Sequence, residues 1–456
     1  MSTVTVTDLL VEGTPGAGAH DAPAPGPVRP ELPTSVDVAI VGAGASGLAT
    51  AVHLAALPGE RTVLVLEGRS GDDPRSWCSW DDETDPLPEA RSASWDRWEV
   101  RTDRGTSTGT DPGHPYVLVR GADRRAAAAR RLAGAATIVD GTPVRSVVAS
   151  PEGVLVQART GDVRARRVLD ARGPRCPDEV PAGRVLLHQR FVGQWITTTR
   201  PVFDPTTVTL MDFTGQTPGG PVRFVYVLPV STTSALVEST IFTPDPADPI
   251  DHRSAIADHV RRRWDLGPDE WRVTDEEQGC IPMTDLPPAA LTGAHDERWR
   301  PAGAAGAAVA SVTGTTRPSS GYGFARSNRH AARVAQHLAD GTPVPEHRDR
   351  ARTRFLDAVF LRFLRDQPDR AAETFRRLLA LPGPLVVRFM SERSTLADDL
   401  RIVLALQKGP FLVALARTLL DAGTRGLAGV RRTAGVRRTV GARGRVVARR
   451  RSDVSS

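Results

Sequence analysis

Glu238 stands in SALVESTIF, residues 234–242, where Ala235, Leu236, Val237, Ile241 and Phe242 crowd around a single carboxylate. Burying an unpaired ionised carboxylate is costly, so such a group neutralises, pairs with a cation or handles protons. The bland alternative is a carboxylate on the solvated face of an antiparallel sheet. In strict strand alternation, however, Glu238 shares its face with Leu236, Thr240 and Phe242, which is not a solvated set. A second chemical signature lies near the start of the chain. Gly42, Gly44 and Gly47 form G-x-G-x-x-G directly after a strand and at the start of a helix, with Glu67 ending the next strand twenty residues on. The first glycine permits the tight turn, the second lets a pyrophosphate approach the backbone, and the third lets helix and strand pack closely. The helix N-terminus stabilises the phosphates, and Glu67 suits ribose hydroxyls.

The elements that position these residues can be read from periodicity. VDVAIVGAG is a buried strand, ASGLATAVHLAAL a helix and RTVLVLE a second strand, a β-α-β unit. Residues 72–114 read as loops and short strands, and GADRRAAAARRLAGA as a helix followed by strands of a small sheet. Between 185 and 243 the runs RVLLHQRFVGQWI, TTVTLMDF, VRFVYVLPV and SALVESTIF predict an antiparallel platform, and beyond 345 the pattern is helical. Two later stretches look like distal flavin contacts. RVLDARGP ends a strand on Asp170 and Gly173, and GTTRPSSGYGFARS carries Gly314, Gly321 and Gly323 ahead of a long helix, which would place backbone N–H groups beside an isoalloxazine ring. These favour FAD, and no second dinucleotide motif is present, so NAD(P)H would visit only transiently.

At 456 residues the chain exceeds what one hydrophobic core usually organises. The formal charge of +6 is unevenly placed: from Arg425 onward ten arginines face Asp453 alone, a local +9 that leaves −3 for everything before it. The basic character belongs to a tail that reads as disordered and would suit anionic lipid, and not to a nucleic-acid groove. Residues 1–34 form a Pro/Ala/Gly leader, expected to be disordered, with no signal-peptide pattern. Cys78, Cys176 and Cys280 stand about a hundred residues apart with no C-x-x-C spacing, which predicts neither a metal site nor a disulfide framework and fits a reducing cytoplasm.

From about residue 36 to 420 the chain resembles the lycopene cyclase family of FAD-dependent carotenoid cyclases. The resemblance rests on RSWCSWDDE, HQRFVGQWI, TLMDF, FVYVLPVSTTSALVESTIF, EEQGCIPMTD, RPSSGYGFARS and LDAVFLRFLRDQP, in the family's order. It implies an α/β fold: a Rossmann-type FAD-binding domain of the two-dinucleotide-binding kind, similar to p-hydroxybenzoate hydroxylase, with an antiparallel β-sheet substrate domain and C-terminal helices. The expected division is 35–85, 115–182 and 280–340 for FAD binding, 86–114 and 183–279 for the substrate sheet, 345–424 for the helices and 425–456 for the tail. The plant members' Phe-Leu-Glu-Glu-Thr motif matches residues 236–240, so the resemblance passes its acid/base role to Glu238, and the family's Met-Asp stretch matches Met211 and Asp212, which makes Asp212 a second candidate catalytic carboxylate. Ser79 stands where the family commonly has Phe, and Arg317 where it has His.

The implied reaction is a non-redox cyclisation of the linear ends of lycopene to β-rings, giving gamma- or beta-carotene, an isomerase activity of the intramolecular-lyase kind. Protonation of the terminal double bond gives a tertiary cation, ring closure follows, and a proton is lost. Reduced FAD would supply electrostatic or acid/base assistance, and Trp77, Trp80 and Tyr322 would add cation–π stabilisation of ~0.5–2 kcal/mol each. The alternative is an NAD(P)H-consuming oxidoreductase of the same fold: an aromatic hydroxylase, epoxidase or isoprenoid reductase. An insoluble substrate implies peripheral membrane contact from the cytoplasm, with no obligate protein partner. The apolar faces of most helices between 353 and 420 are nonetheless expected to pack on the body.

Overall fold

A computed structural model describes residues 31–422 apart from 72, 175–176, 178–179, 217–218, 292–307 and 313. The arginine tail, and the leader but for its last four residues, lie outside the described residues. The chain runs through β1 (Ser35–Val41), α1 (Ala45–Ala56), β2 (Val63–Leu66), β3 (Ser76–Trp80), β4 (Arg91–Trp95), β5 (Arg97–Thr102), β6 (Gly105–Thr110), β7 (Tyr116–Arg120) and α2 (Gly121–Arg131). Next come β8 (Ala136–Val139), β9 (Val144–Ser150), β10 (Gly153–Ala158), β11 (Gly161–Asp170), β12 (Leu186–Thr198), β13 (Thr207–Asp212), β14 (Val222–Pro229), β15 (Ser234–Thr243) and α3 (His252–Trp264). The rest is β16 (Trp271–Thr284), β17 (Val309–Ser311), α4 (Phe324–Ala339), α5 (Ala351–Asp366), α6 (Ala371–Leu379), α7 (Gly383–Met390), α8 (Leu396–Ala405) and α9 (408–422).

The first sheet has the order β8-β2-β1-β11-β10-β9, with β17 also beside β11. Its centre is parallel, and β1 and β2 are β-branched and leucine runs buried on both faces, as a covered parallel sheet requires. Val38 and Ile40 pack under α1 and α4, while Ala39 and Val41 face the valines of β9, β10 and β11. β11 serves two partners along one edge: β10 pairs with its first half, up to Ala165, and β17 with its last residues, Val168 to Asp170.

The second sheet has the order β16-β12-β15-β14-β13-β5-β6 and is antiparallel except where β13 meets β5. Alternation along β15 sorts its residues: Ala235 and Val237 pack on Ile256 and Val260 of α3, whereas Leu236 and Phe242 join a large aromatic core on the other face. The predicted platform strands are all present. β16 has no counterpart among the predicted elements, because it is a half-exposed edge strand whose run of polar residues hides its periodicity.

Helices α5, α6, α7 and α9 contribute to the aromatic core and α8 packs through Ile402 on Leu378 and Leu385, but α8 and α9 also turn apolar side chains outward. Leu396, Leu400, Val403, Leu404, Leu412, Val413, Leu419 and Leu420 are exposed. Among the described residues no helix is long and apolar enough to cross a membrane.

Candidate active site

Glu238 lies in a transverse row of the second sheet. Tyr226 pairs with Glu238, Glu238 with Gly193, and Gly193 with Glu277, across β14, β15, β12 and β16. Because Gly193 has no side chain, the row has a gap between its two carboxylates. A Cβ there would come 3.0 Å from Leu236 Cδ1, 3.2 Å from Glu277 Cγ and 3.4 Å from Glu277 Oε1. Thr240 Oγ1 donates to Glu238 Oε1 at 2.8 Å. Glu238 retains partial exposure only as part of a cavity wall deep inside the molecule, and burial, reinforced by the charge of Glu277, pushes its pKa up to about 8. Burial likewise raises Glu277 to about 7. Glu238 is therefore mainly a carboxylic acid at neutral pH, a proton donor in an apolar setting.

The cavity that Glu238 and Glu277 line, of about 470 Å³, reaches the glycine loop. Gly44, Ala45 and Ser46 line it at the N-terminus of α1, Gly173 from the end of β11, and Gly321, Tyr322 and Gly323 at the start of α4. Behind this wall stand Gly42, Gly47, Glu67, Asp170 and Gly314, which shape it without lining it. Gly42 has φ +107°, and a Cβ on it would meet the Ala171 carbonyl oxygen at 2.8 Å. Glu67 accepts from the Ala43 and Arg69 backbone amides at 2.9 and 3.0 Å, which fixes the loop. Asp170 holds Arg172 at 2.9 and 3.0 Å. Gln189 Oε1 is buried with no partner among the described residues, against Gly321, where a Cβ would collide with it. Two helix N-termini, a glycine-lined floor and an orphaned amide oxygen fit a flavin nucleotide.

A second cavity, of about 410 Å³, is apolar and lined by Met211, Leu210, Phe360, Phe375, Phe411 and Trp80 among others. Ser320 and Tyr322 line both cavities, so the Tyr322 ring stands at the partition. Trp80 packs edge-on against Tyr116 at 5.0 Å and tilted against Tyr322 at 5.7 Å. The Tyr116 and Tyr322 hydroxyls are 3.2 Å apart. Trp77 lies on the glycine-loop side, stacked on Phe324 at 6.1 Å. The chain has three tyrosines, and all of them, Tyr116, Tyr226 and Tyr322, line the cavity that holds the two glutamates.

The family profile described as "Lycopene cyclase protein" matches residues 37–418. The chain belongs to the lycopene cyclase family. It is 30% identical over 395 residues to the lycopene beta-cyclase of Paracoccus sp. (strain N81106 / MBIC 01143), covering 80% of this chain and 93% of that protein. It is 30% identical over 284 residues to the lycopene beta-cyclase of Pantoea ananas, covering 59% and 69% respectively. Among solved structures, a geranylgeranyl bacteriochlorophyll reductase-like protein from Thermoplasma acidophilum superposes with a TM-score of 0.52 at 14% identity, covering 84% of this chain and 99% of that one. A flavoprotein/dehydrogenase from Cytophaga hutchinsonii superposes with a TM-score of 0.51 at 15% identity, covering 86% and 100%. The fold is thus the α/β flavoprotein fold with a Rossmann-type half.

In this lycopene cyclase family member Asp212 does not line the cavity that holds Glu238. Leu210 and Met211 both line the apolar cavity, where β13 is bulged after Thr209, and Asp212 shares the opposite, α3-facing side with Thr209. There its Oδ2 meets Arg263 Nη1 at 3.1 Å and Arg101 Nε at 3.2 Å, while Oδ1 accepts from Thr214 Oγ1 at 2.7 Å. It is an ion-pair anchor between β13, β5 and α3, away from Glu238. Asp212→Ala is expected to destabilise the fold by roughly 1–3 kcal/mol, since it leaves Arg263 and Arg101 with Glu99 as their remaining carboxylate, with flavin affinity unchanged in the folded fraction; thermal melts and flavin titration check both. Conversely, Glu277, Gly193, Tyr116 and Tyr226 belong to the site and were not singled out from sequence. The scarcity of tyrosine, and the acidic run inside EEQGCIPMTD, were the available signals.

Proposed function

We propose that this protein is a lycopene beta-cyclase that converts the linear ends of lycopene to β-rings without net redox change, an isomerase of carotenoid biosynthesis. The observation that carries this is a carboxyl deep inside the molecule, Glu238, in the wall of the cavity that reaches the glycine loop, with Tyr322 dividing that cavity from an apolar one. The apolar cavity suits a polyene chain and keeps water from a cation. Glu238 delivers the proton, Thr240 orients its carboxyl, and the faces of Trp80 and Tyr322 stabilise positive charge in the end group. Gly44, Gly173, Gly321 and Gly323 would hold FAD, with Gly42, Gly47, Glu67, Asp170 and Gly314 shaping the walls. When bound and reduced, FAD supplies a negative ring beside the cation. NAD(P)H is then a transient reductant, with no dedicated site. On this proposal 35–85, 115–182 and 280–340 serve FAD binding, and 86–114 with 183–279 serve the substrate. β16 crosses that boundary, since it stays in the second sheet as far as Thr284.

The exposed leucines support a peripheral seat on a membrane, reached from the cytoplasm. Val403, Leu404 and Leu412 are exposed and also line the apolar cavity, so its mouth opens on the apolar face of α8 and α9. Lys408 stands at the same mouth, placed to meet lipid headgroups. Leu404→Glu with Leu412→Glu should weaken liposome binding by about tenfold or more, leaving flavin content unchanged; unchanged co-sedimentation would contradict this seat. The function itself is tested by producing the protein in a lycopene-making bacterium and separating the pigments: cyclic carotenes are expected, and unaltered lycopene would refute it.

A further inference from the structure

Glu277 is a buried carboxylate, 4% exposed, which the proposed reaction as stated does not use. Its Oε2 has no hydrogen-bond partner among the described residues. It lines the same cavity as Glu238, and Gly193, level with both, has no side chain to stand between them, so Glu277 leans over its Cα. Around the pair, Ser76 and Arg120 favour the ionised form of Glu277 and Asp275 opposes it. Arg120 on β7 is held by Asp275, the neighbour of Glu277 on β16, at 3.0 Å, and Arg75 is held by Asp73. Cys78 on β3, Tyr116 on β7, Tyr226 on β14 and Tyr322 before α4 are all pushed upward by burial and stay neutral.

We propose that Glu277 is the second catalytic carboxylate of this site, sharing one proton with Glu238 across the gap above Gly193. This rests on the cyclase reading for its substrate, though not for its geometry. A cyclisation adds a proton at one carbon and removes one at another, so it needs an acid and a base in the same water-poor cavity. Glu238 gives its proton to the terminal alkene carbon, and the C5–C6 π pair closes the ring onto the tertiary cation. The C6–H bond then breaks, its electrons forming the ring double bond and its proton going to the Glu277 carboxylate. Between turnovers that proton exchanges with solvent and one proton returns to Glu238, which restores the pair, and no electron leaves the substrate. The pair carries one negative charge before the alkene is protonated and two while the substrate is cationic, whereas two neutral acids would offer only the one charge left by the proton given up.

The test is an infrared titration of the carboxylic-acid carbonyl band in the flavin-loaded protein, which needs no substrate. Removing the charge in Glu277→Gln should lower the midpoint of the Glu238 band by about one unit or more. Gly193→Ala, whose Cβ wedges between the side chains while the strand persists, should also shift that midpoint, and it serves if Glu277→Gln does not fold. With lycopene, Glu277→Gln should lose about 100-fold or more in rate, and the alkaline limb of its pH profile should move with the infrared midpoint. A Glu238 midpoint unmoved in both variants, or near-normal cyclisation by Glu277→Gln, overturns the proposal. If the midpoint moves but the wild type makes no rings, the pair stands and the assigned function falls.

Discussion

Glu238→Gln leaves lycopene uncyclised in cells while the folded protein keeps its flavin. The substitution preserves the side-chain volume and replaces a transferable proton with an amide that cannot give one up. Since a general acid contributes typically about 10²- to 10⁴-fold, the loss should exceed anything that altered packing produces. Asp212→Asn is the control, because that carboxylate sits among Arg101, Arg263 and Thr214 on the other face of the sheet. The pH dependence has a definite sign. Glu238 is held at about 8 by burial, above its ordinary 4.5, so wild-type activity should decline as pH rises through about 8 and the acid form is lost. Stability follows the same linkage. An unfolded chain ionises Glu238 first as pH rises, so the wild type loses stability relative to Glu238→Gln between about 4.5 and 8, and the variant's advantage should be larger at pH 8 than at pH 5. Melting both proteins at the two pH values checks this, and near-normal ring formation by the variant would remove Glu238 from the chemistry.

Gly44→Val should abolish flavin binding without unfolding the chain. Gly44 has φ −75° and ψ −172°, extended backbone that any residue adopts, and a Cβ there meets only the tip of Arg75 at 3.6 Å. The fold therefore accepts a side chain, but valine's methyl groups occupy the space that the pyrophosphate needs beside the N-terminus of α1. Affinity should fall on the order of 100-fold or more. Gly47→Val should behave differently, since its Cβ would collide with the carbonyl oxygen of Gly42 and prise helix from strand. Flavin absorbance after gel filtration, read beside circular dichroism, separates the outcomes: colourless and folded for the first, misfolded for the second. A yellow, flavin-retaining Gly44→Val protein would mean that the nucleotide does not lie on this loop.

What was legible in the sequence was local. The glycine loop, Glu67 and the buried setting of Glu238 each follow from patterns within a few residues, and the observed alternation of β15 agrees with the face inferred for Glu238. The surroundings of Asp212 were not legible, because matching a motif does not say which way a strand turns, and its partners Arg101 and Arg263 stand far from it in sequence. Glu277 was missed for the opposite reason. Nothing local marks TDEEQG as a strand, and only the register of β12 between β15 and β16 brings it level with Glu238. The exposed leucines of α8 and α9 could not be told from core leucines by periodicity, since an apolar stripe looks the same whether protein or lipid covers it.

The central claim is acid/base cyclisation with no net electron transfer, and one measurement addresses it directly. Purified protein carrying pre-reduced FAD is given lycopene without oxygen in deuterated water, and the product is analysed by mass spectrometry while the flavin spectrum is followed. Ring formation with solvent deuterium in each new ring, and a flavin that stays reduced through many turnovers, is the predicted result. Product formed in proportion to flavin oxidation or NAD(P)H consumption, or rings without deuterium, would contradict it.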